Sequence, residues 1–76
     1  MINKTDLEFK DISSEEYRIY VFPGFVNIRI NNPTHLNVSK SGGHRLLDES
    51  GESHYIPTGW VQLKWRAKKG EANFVA

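Results

Sequence analysis

An indole, an amide and two cations stand at alternating positions near the C-terminal end of the chain, at Trp60, Gln62, Lys64 and Arg66. Side chains two residues apart share one face of a β-strand. On such a face an exposed indole can stack on a base, and the cations can follow the phosphates of a single strand of nucleic acid. Lys68 and Lys69 continue the positive charge. The pattern therefore predicts a strand face that binds nucleic acid.

The strand that must carry this face runs over Thr58 to Ala67, and its other alternating set is apolar. Val61, Leu63 and Trp65 fall on that second face and are predicted to point into the core. Trp60 separates two interpretations of the first face. An exposed Trp60 favours binding, whereas a Trp60 that is covered by a loop or a second subunit makes the pattern architectural.

A hairpin is predicted around Pro23-Gly24, which joins the strands 17–22 and 25–30. Symmetric pairing about this turn places Val21 opposite Val26 and Tyr17 opposite Ile30 on an apolar face. The opposite face then carries Arg18, Tyr20, Phe25 and Arg29, which could extend the binding surface. Because Pro-Gly prefers type I or II turns, whose twist suits a tight hairpin poorly, we expect a bulge or a wider loop.

The hairpin tip supports an alternative function. Its residues Phe22, Pro23, Gly24 and Phe25 could anchor a protein partner or a second copy of the chain, since aromatic side chains are enriched among interface hot spots. A homodimer would also enlarge a small core and cover an edge strand. The alternative is thus a protein-interaction or self-assembling accessory module, of a kind that would suit a phage or another mobile element.

Further strand signals cover residues 34–39, 44–48 and 54–57, with a closing strand over 73–75. The fold class is all-β, a single domain over 1–76 in which 1–13 is an attached arm or an edge strand. We expect an antiparallel meander of five to seven short strands, curled into an SH3-like or OB-like barrel or a strongly bent sheet. The predicted core consists of Val21, Val26, Ile28, Ile30, Leu36, Val38, Leu46, Ile56, Val61, Leu63 and Trp65.

No catalytic, metal or cofactor motif is found. The spacing of His35, His44 and His54 fits no ligand signature, and no serine lies in a GxSxG elbow. Asp48 and Glu49 are adjacent in a strand and so point to opposite faces. We therefore expect no enzyme, no metal and no cofactor.

The composition of the chain limits the classes of protein to which it can belong. The chain has 76 residues, no cysteine and a net charge of +1, and its N-terminal segment contains no apolar run typical of a signal peptide or a membrane span. These features predict a cytoplasmic protein without a membrane segment. Residues 1–22 have a net negative charge, and residues 58–76 have a net positive charge. This distribution could steer an acidic partner toward one end of the chain, or it could pair the two ends with each other.

Overall fold

The computed structural model describes residues 8–71, which form seven strands and no helix. The strands are β1 (Lys10–Asp11), β2 (Glu15–Phe22), β3 (Val26–Asn31), β4 (Pro33–Val38), β5 (His44–Asp48), β6 (Ser53–Ile56) and β7 (Gln62–Ala67). They form two antiparallel sheets, one ordered β1-β4-β5-β6 and the other β3-β2-β7. The all-β prediction is confirmed, but these strands do not close into a barrel. The predicted strand over 73–75 lies outside the described residues.

A corner at Asn32 carries the chain from one sheet to the other. This residue has a φ of 48°, a left-handed conformation that asparagine tolerates, and it lies between the end of β3 and the start of β4. Its N–H donates to the carbonyl of Glu16, and its own carbonyl accepts from the N–H of Glu49, both at 2.9 Å. The corner is therefore fixed by backbone hydrogen bonds to both neighbouring segments.

The core lies between the two sheets and is small. Its buried apolar residues are Ile12, Tyr20, Ile30, Leu36, Leu46 and Ile56, with Phe22, Ile28, Trp60 and Leu63 packed against them. The prediction is confirmed at Ile30, Leu36, Leu46 and Ile56. It is wrong at Val26, Val38 and Val61, which are exposed, and at Val21, which lies on the side of its sheet away from the core. For Val61 the reason is that β7 begins one residue later, so the alternation of the strand does not extend to it.

The hairpin has a three-residue loop rather than the symmetric two-residue turn. Phe22 pairs with Val26, and the loop is formed by Pro23, Gly24 and Phe25. The φ of Gly24 is 79°, as the third position of a type II turn requires, and that of Phe25 is 64°. For a residue with a Cβ this left-handed conformation costs about 1–2 kcal/mol. The extra loop residue accounts for the change in register.

This register places Arg18 and Tyr20 inside the protein, so the prediction that they extend an exposed surface is wrong. Arg18 lies opposite Ile30, and Tyr20 lies opposite Ile28. The Arg18 guanidinium donates from Nε and Nη2 to the two carboxylate oxygens of Glu15, at 2.8 and 2.7 Å, and from Nη1 to the Tyr20 hydroxyl at 3.0 Å. Both side chains of this ion pair are almost wholly shielded from solvent.

A substitution at Arg18 tests the burial of this pair. Arg18→Met leaves the Glu15 carboxylate buried without its counter-ion, and we expect a loss of about 3–5 kcal/mol in the free energy of unfolding. Urea denaturation at neutral pH measures it. The double variant Glu15→Leu/Arg18→Met removes both charges and should recover most of the loss. A single variant that is as stable as the wild type would contradict the buried placement.

Candidate nucleic-acid interface

The register of β2 with its two neighbours arranges nine side chains as a grid on the side of this sheet away from the core. The three rows across β3, β2 and β7 are Asn31–Tyr17–Arg66, Arg29–Ile19–Lys64 and Asn27–Val21–Gln62. We call these nine residues the outer face. From the spacing of strands and alternate residues it measures about 14 by 10 Å. Its members on β3 and β7 are exposed, and those on β2 are half-buried.

On the outer face, side chains of different chemical types lie on different strands. The central column, Tyr17, Ile19 and Val21, is aromatic and apolar, whereas the two flanking columns contain only cations and amides. No carboxylate is among the nine. The exposed carboxylate nearest to this cluster along β2 is Glu16, where the β2–β7 pairing has an irregularity. The face thus offers positive charge beside an apolar strip.

Tyr17 is held between two arginines. The guanidinium of Arg29 lies 4.0 Å from the centre of the Tyr17 ring, and Nε of Arg66 donates to the Tyr17 hydroxyl at 3.3 Å. The hydrogen bond from Arg66 lowers the pKa of Tyr17. Arg29 is oriented further by donating from Nε to the side-chain oxygen of Asn31 at 2.7 Å. These contacts pre-orient both guanidinium groups at the surface.

Four of the predicted binding residues come together on this face: Gln62, Lys64, Arg66 and Arg29. Lys68 and Lys69 follow the end of β7 in a turn, where the N–H of Lys68 donates to the carbonyl of Ser14 at 2.8 Å. Phe25 lies at the hairpin tip and is 99% exposed. Arg18 and Tyr20 lie on the opposite, buried side of β2, as described above.

Trp60 does not lie with Gln62, Lys64 and Arg66 on the outer face. It is half-buried against the core, where its ring centre is 5.0 Å from that of Tyr20 and 4.7 Å from that of His44. The alternation of β7 does not reach it, because the strand starts at Gln62 and the chain bends at Gly59, which has a φ of 118°. Trp60 therefore packs with the core instead of joining the outer face, and the aromatic residue of that face is Tyr17.

The sequence pattern missed Tyr17. Symmetric pairing about Pro23-Gly24 assigned it to the apolar face, opposite Ile30, but in the structure it pairs with Asn31. The signal that could have identified it is the same turn chemistry that favoured a wider loop. A loop longer by one residue exchanges the faces of β2 relative to β3.

A chain of polar groups runs behind the outer face, through the core. It consists of Glu15, Arg18, Tyr20 and His44, and its last link is a 2.6 Å hydrogen bond between the Tyr20 hydroxyl and Nδ1 of His44. The same hydroxyl accepts from Nη1 of Arg18 at 3.0 Å, so it joins the buried guanidinium to the imidazole. Burial, together with the charge of Arg18, lowers the pKa of His44.

One group of residues in 8–71 has the composition of a metal site. Ligand atoms of Asp48, Glu52 and His54 lie within 4.8 Å of one another. The Asp48 carboxylate already accepts from the backbone N–H of Ser50 and of Glu52 and contacts Nε2 of His54 at 2.8 Å. The hydrogen bonds from His54 and Ser50 hold the pKa of Asp48 far below its ordinary value. Through these bonds the Asp48 carboxylate caps the loop between β5 and β6.

Comparison of the chain with known protein families, with curated proteins and with solved structures finds no match. Within residues 8–71, the structure has no helix with the length and apolar character needed to cross a membrane. The function must therefore be argued from the geometry of the chain itself.

The lowered pKa of His44 predicts a pH dependence of stability. The folded protein disfavours the charged form of this imidazole, whereas the unfolded chain takes up the proton near the ordinary pKa of 6.5. The stabilisation is complete above that pH and is lost as the pH falls through the lower pKa of the folded state. Urea unfolding between about pH 5 and 7.5 measures it, across the range in which histidine titrates.

The variant His44→Gln should flatten this dependence, because it removes the group that titrates. The matched control is His35→Gln, which removes a histidine outside the polar chain and should keep the wild-type slope. Equal slopes for the wild type and His44→Gln would contradict the assignment.

Proposed function

We propose that the protein is a small non-enzymatic β module that binds nucleic acid through the outer face. The observation that carries the proposal is the register of the β3-β2-β7 sheet. It brings Arg29, Lys64 and Arg66 onto one exposed surface around Tyr17, without a carboxylate among the nine positions. The function rests on this placement and on the chemistry of the side chains.

The spacing of the cations suits a polyanion. Arg29 and Lys64 flank Ile19 in the same row, and Arg66 lies one row further along β7. Neighbouring strands are about 5 Å apart, and alternate residues in a strand are about 7 Å apart, so the three charges lie within or close to one Debye length of each other. Their potentials therefore add, which favours a ligand that carries several negative charges over a single ion.

The uncharged residues of the face suit a nucleic acid in particular. Asn27, Asn31 and Gln62 offer both hydrogen-bond donors and acceptors, and the central column offers apolar surface for the faces of bases or sugars. Arginine guanidinium groups bind phosphate in a bidentate manner and also stack on bases. A purely acidic peptide would leave the apolar column without a partner.

We include no catalytic step in the proposal. Among the described residues, Tyr20 is fully buried within the core, and its hydroxyl is engaged by Arg18 and His44. Asp48 and His54 are engaged with each other and with a loop backbone. The Tyr20–His44 pair lies behind the outer face, whereas Asp48 and His54 line a cavity of about 420 Å³ together with Arg29 and Asn31, at the β3 edge of that face. Because these groups are already engaged, the proposed module recognises its ligand without acting on it.

The test is the salt dependence of binding to a labelled single strand of about ten nucleotides, measured by fluorescence anisotropy. We expect affinity to fall linearly on a logarithmic plot against salt. Each phosphate contact that is removed should lower the slope by about 0.7. The variants Lys64→Glu and Arg66→Glu should each weaken binding about tenfold at low salt, since they replace an attraction by a repulsion.

The control for these variants is Lys40→Glu. It makes the same change of charge in the exposed loop between β4 and β5, in the other sheet. It should leave the affinity close to that of the wild type. Equal weakening by all three variants would indicate a general charge effect, and no salt-sensitive binding at low ionic strength would refute the proposal.

A second candidate function is supported by the hairpin tip. Phe25 is 99% exposed, and β3 and β7 are the outermost strands of their sheet among the described residues. An exposed aromatic beside an open strand edge suits a protein partner or a second copy of the chain. On this hypothesis the solution mass rises with concentration to that of a dimer, and Phe25→Ala returns it to that of a monomer.

A further inference from the structure

The aromatic ring at the hairpin tip lies on a strained backbone and is almost wholly exposed. Phe25 has a φ of 64°, a conformation in which glycine or asparagine is expected, and its side chain is 99% accessible to solvent. Burial within the protein therefore does not compensate the strain. Backbone strain of this kind is concentrated at sites that bind ligands.

Beside this ring a groove of about 350 Å³ separates the tip from the start of β7. Its apolar lining includes Val21, Phe25 and Val61, and its polar groups include Asn27, Gln62 and Lys64. None of the described residues that line it carries a carboxylate. Four of these six residues also belong to the outer face, so the groove continues the surface to which the proposed function assigns the phosphates.

The lining of the groove matches the chemistry of a nucleobase. A base has two apolar faces, which an aromatic or aliphatic side chain can cover, and a polar edge, which amide side chains can pair with. Lys64 lies where a phosphate that enters the groove would need a cation. A purely apolar side chain from a protein partner would bury the amides of Asn27 and Gln62 without hydrogen bonds, which is unfavourable.

We infer that this groove holds one unpaired nucleobase, with Phe25 stacked on it, while the phosphates of the same strand lie along the outer face. The inference rests on the proposed function and makes it more specific. Bases of a duplex are stacked on their neighbours and paired at their edges, so they cannot enter the groove. The ligand is therefore a single strand, and the groove contributes affinity that depends on the presence of a base.

The experiment compares Phe25→Gly with the wild type on two labelled strands of equal length, about ten nucleotides, one with bases and one abasic throughout. We expect the wild type to bind the base-bearing strand about tenfold more tightly, as stacking of a base on an aromatic ring implies. Phe25→Gly should reduce that advantage and leave the affinity for the abasic strand unchanged. Phe25→Tyr keeps the ring and should keep the wild-type affinity.

Glycine is chosen because it separates binding from folding. It adopts the positive φ of this position without the Cβ penalty, so Phe25→Gly should maintain or raise the midpoint of urea unfolding. A variant that is no less stable than the wild type, yet binds the base-bearing strand more weakly, directly supports the binding of a base in the groove. Loss of binding cannot then be attributed to a loss of structure.

Three results would overturn the inference. If Phe25→Gly binds like the wild type while Lys64→Glu binds weakly, the groove does not hold a base, and the proposed function stands. If the wild type binds both strands equally, the ligand is recognised by its phosphates alone. If Phe25→Gly converts a dimer to a monomer without changing affinity for either strand, the tip contacts a second copy of the chain.

Discussion

The register of the β2–β3 hairpin decides which side chains lie on each of the two faces of the β3-β2-β7 sheet. Its three-residue loop pairs Phe22 with Val26, and this single choice directs Tyr20 into the core and Tyr17 to the surface. Because β7 pairs with the other edge of β2, it must present Leu63 on the same side as Tyr20 and Lys64 on the opposite side. A change of one residue in the loop would therefore alter the partners across the whole sheet.

The buried polar chain reinforces this register. Arg18 finds its partners, the Glu15 carboxylate and the Tyr20 hydroxyl, only on the inner side of β2. A core as small as this one loses apolar area by enclosing an ion pair, and such a pair adds little net stability. The pair nevertheless favours one orientation of β2, because turning the strand over would remove the Tyr20 hydroxyl from Nδ1 of His44. The polar chain thus opposes the alternative arrangement.

The sequence was informative where one face of a strand was clearly apolar. In β7 the alternation correctly separates Leu63 from Lys64 and Arg66, and the buried position Leu36 follows from the same rule. Between Leu46 and Leu47 alternation did not decide, because a register slip of one residue exchanges them. In β2 both faces carry large apolar or aromatic groups, so alternation could not decide between them. Trp60 was misplaced because the rule was applied beyond the first residue of the strand. The hydrophobic pattern of the sequence gives no indication that the Glu15–Arg18 ion pair is buried.

Phe25 links the register to the proposed binding surface. In a two-residue turn it would pair with Phe22 inside the ladder, and Arg29 would then share a face of the sheet with Tyr20 rather than with Tyr17. As the third loop residue it leaves the ladder, so its ring is exposed and β3 is turned to bring Arg29 over Tyr17. The three-residue loop therefore has two effects besides the strain at Phe25. It exposes an aromatic ring at the tip, and it places the Arg29 cation beside the central column of the outer face.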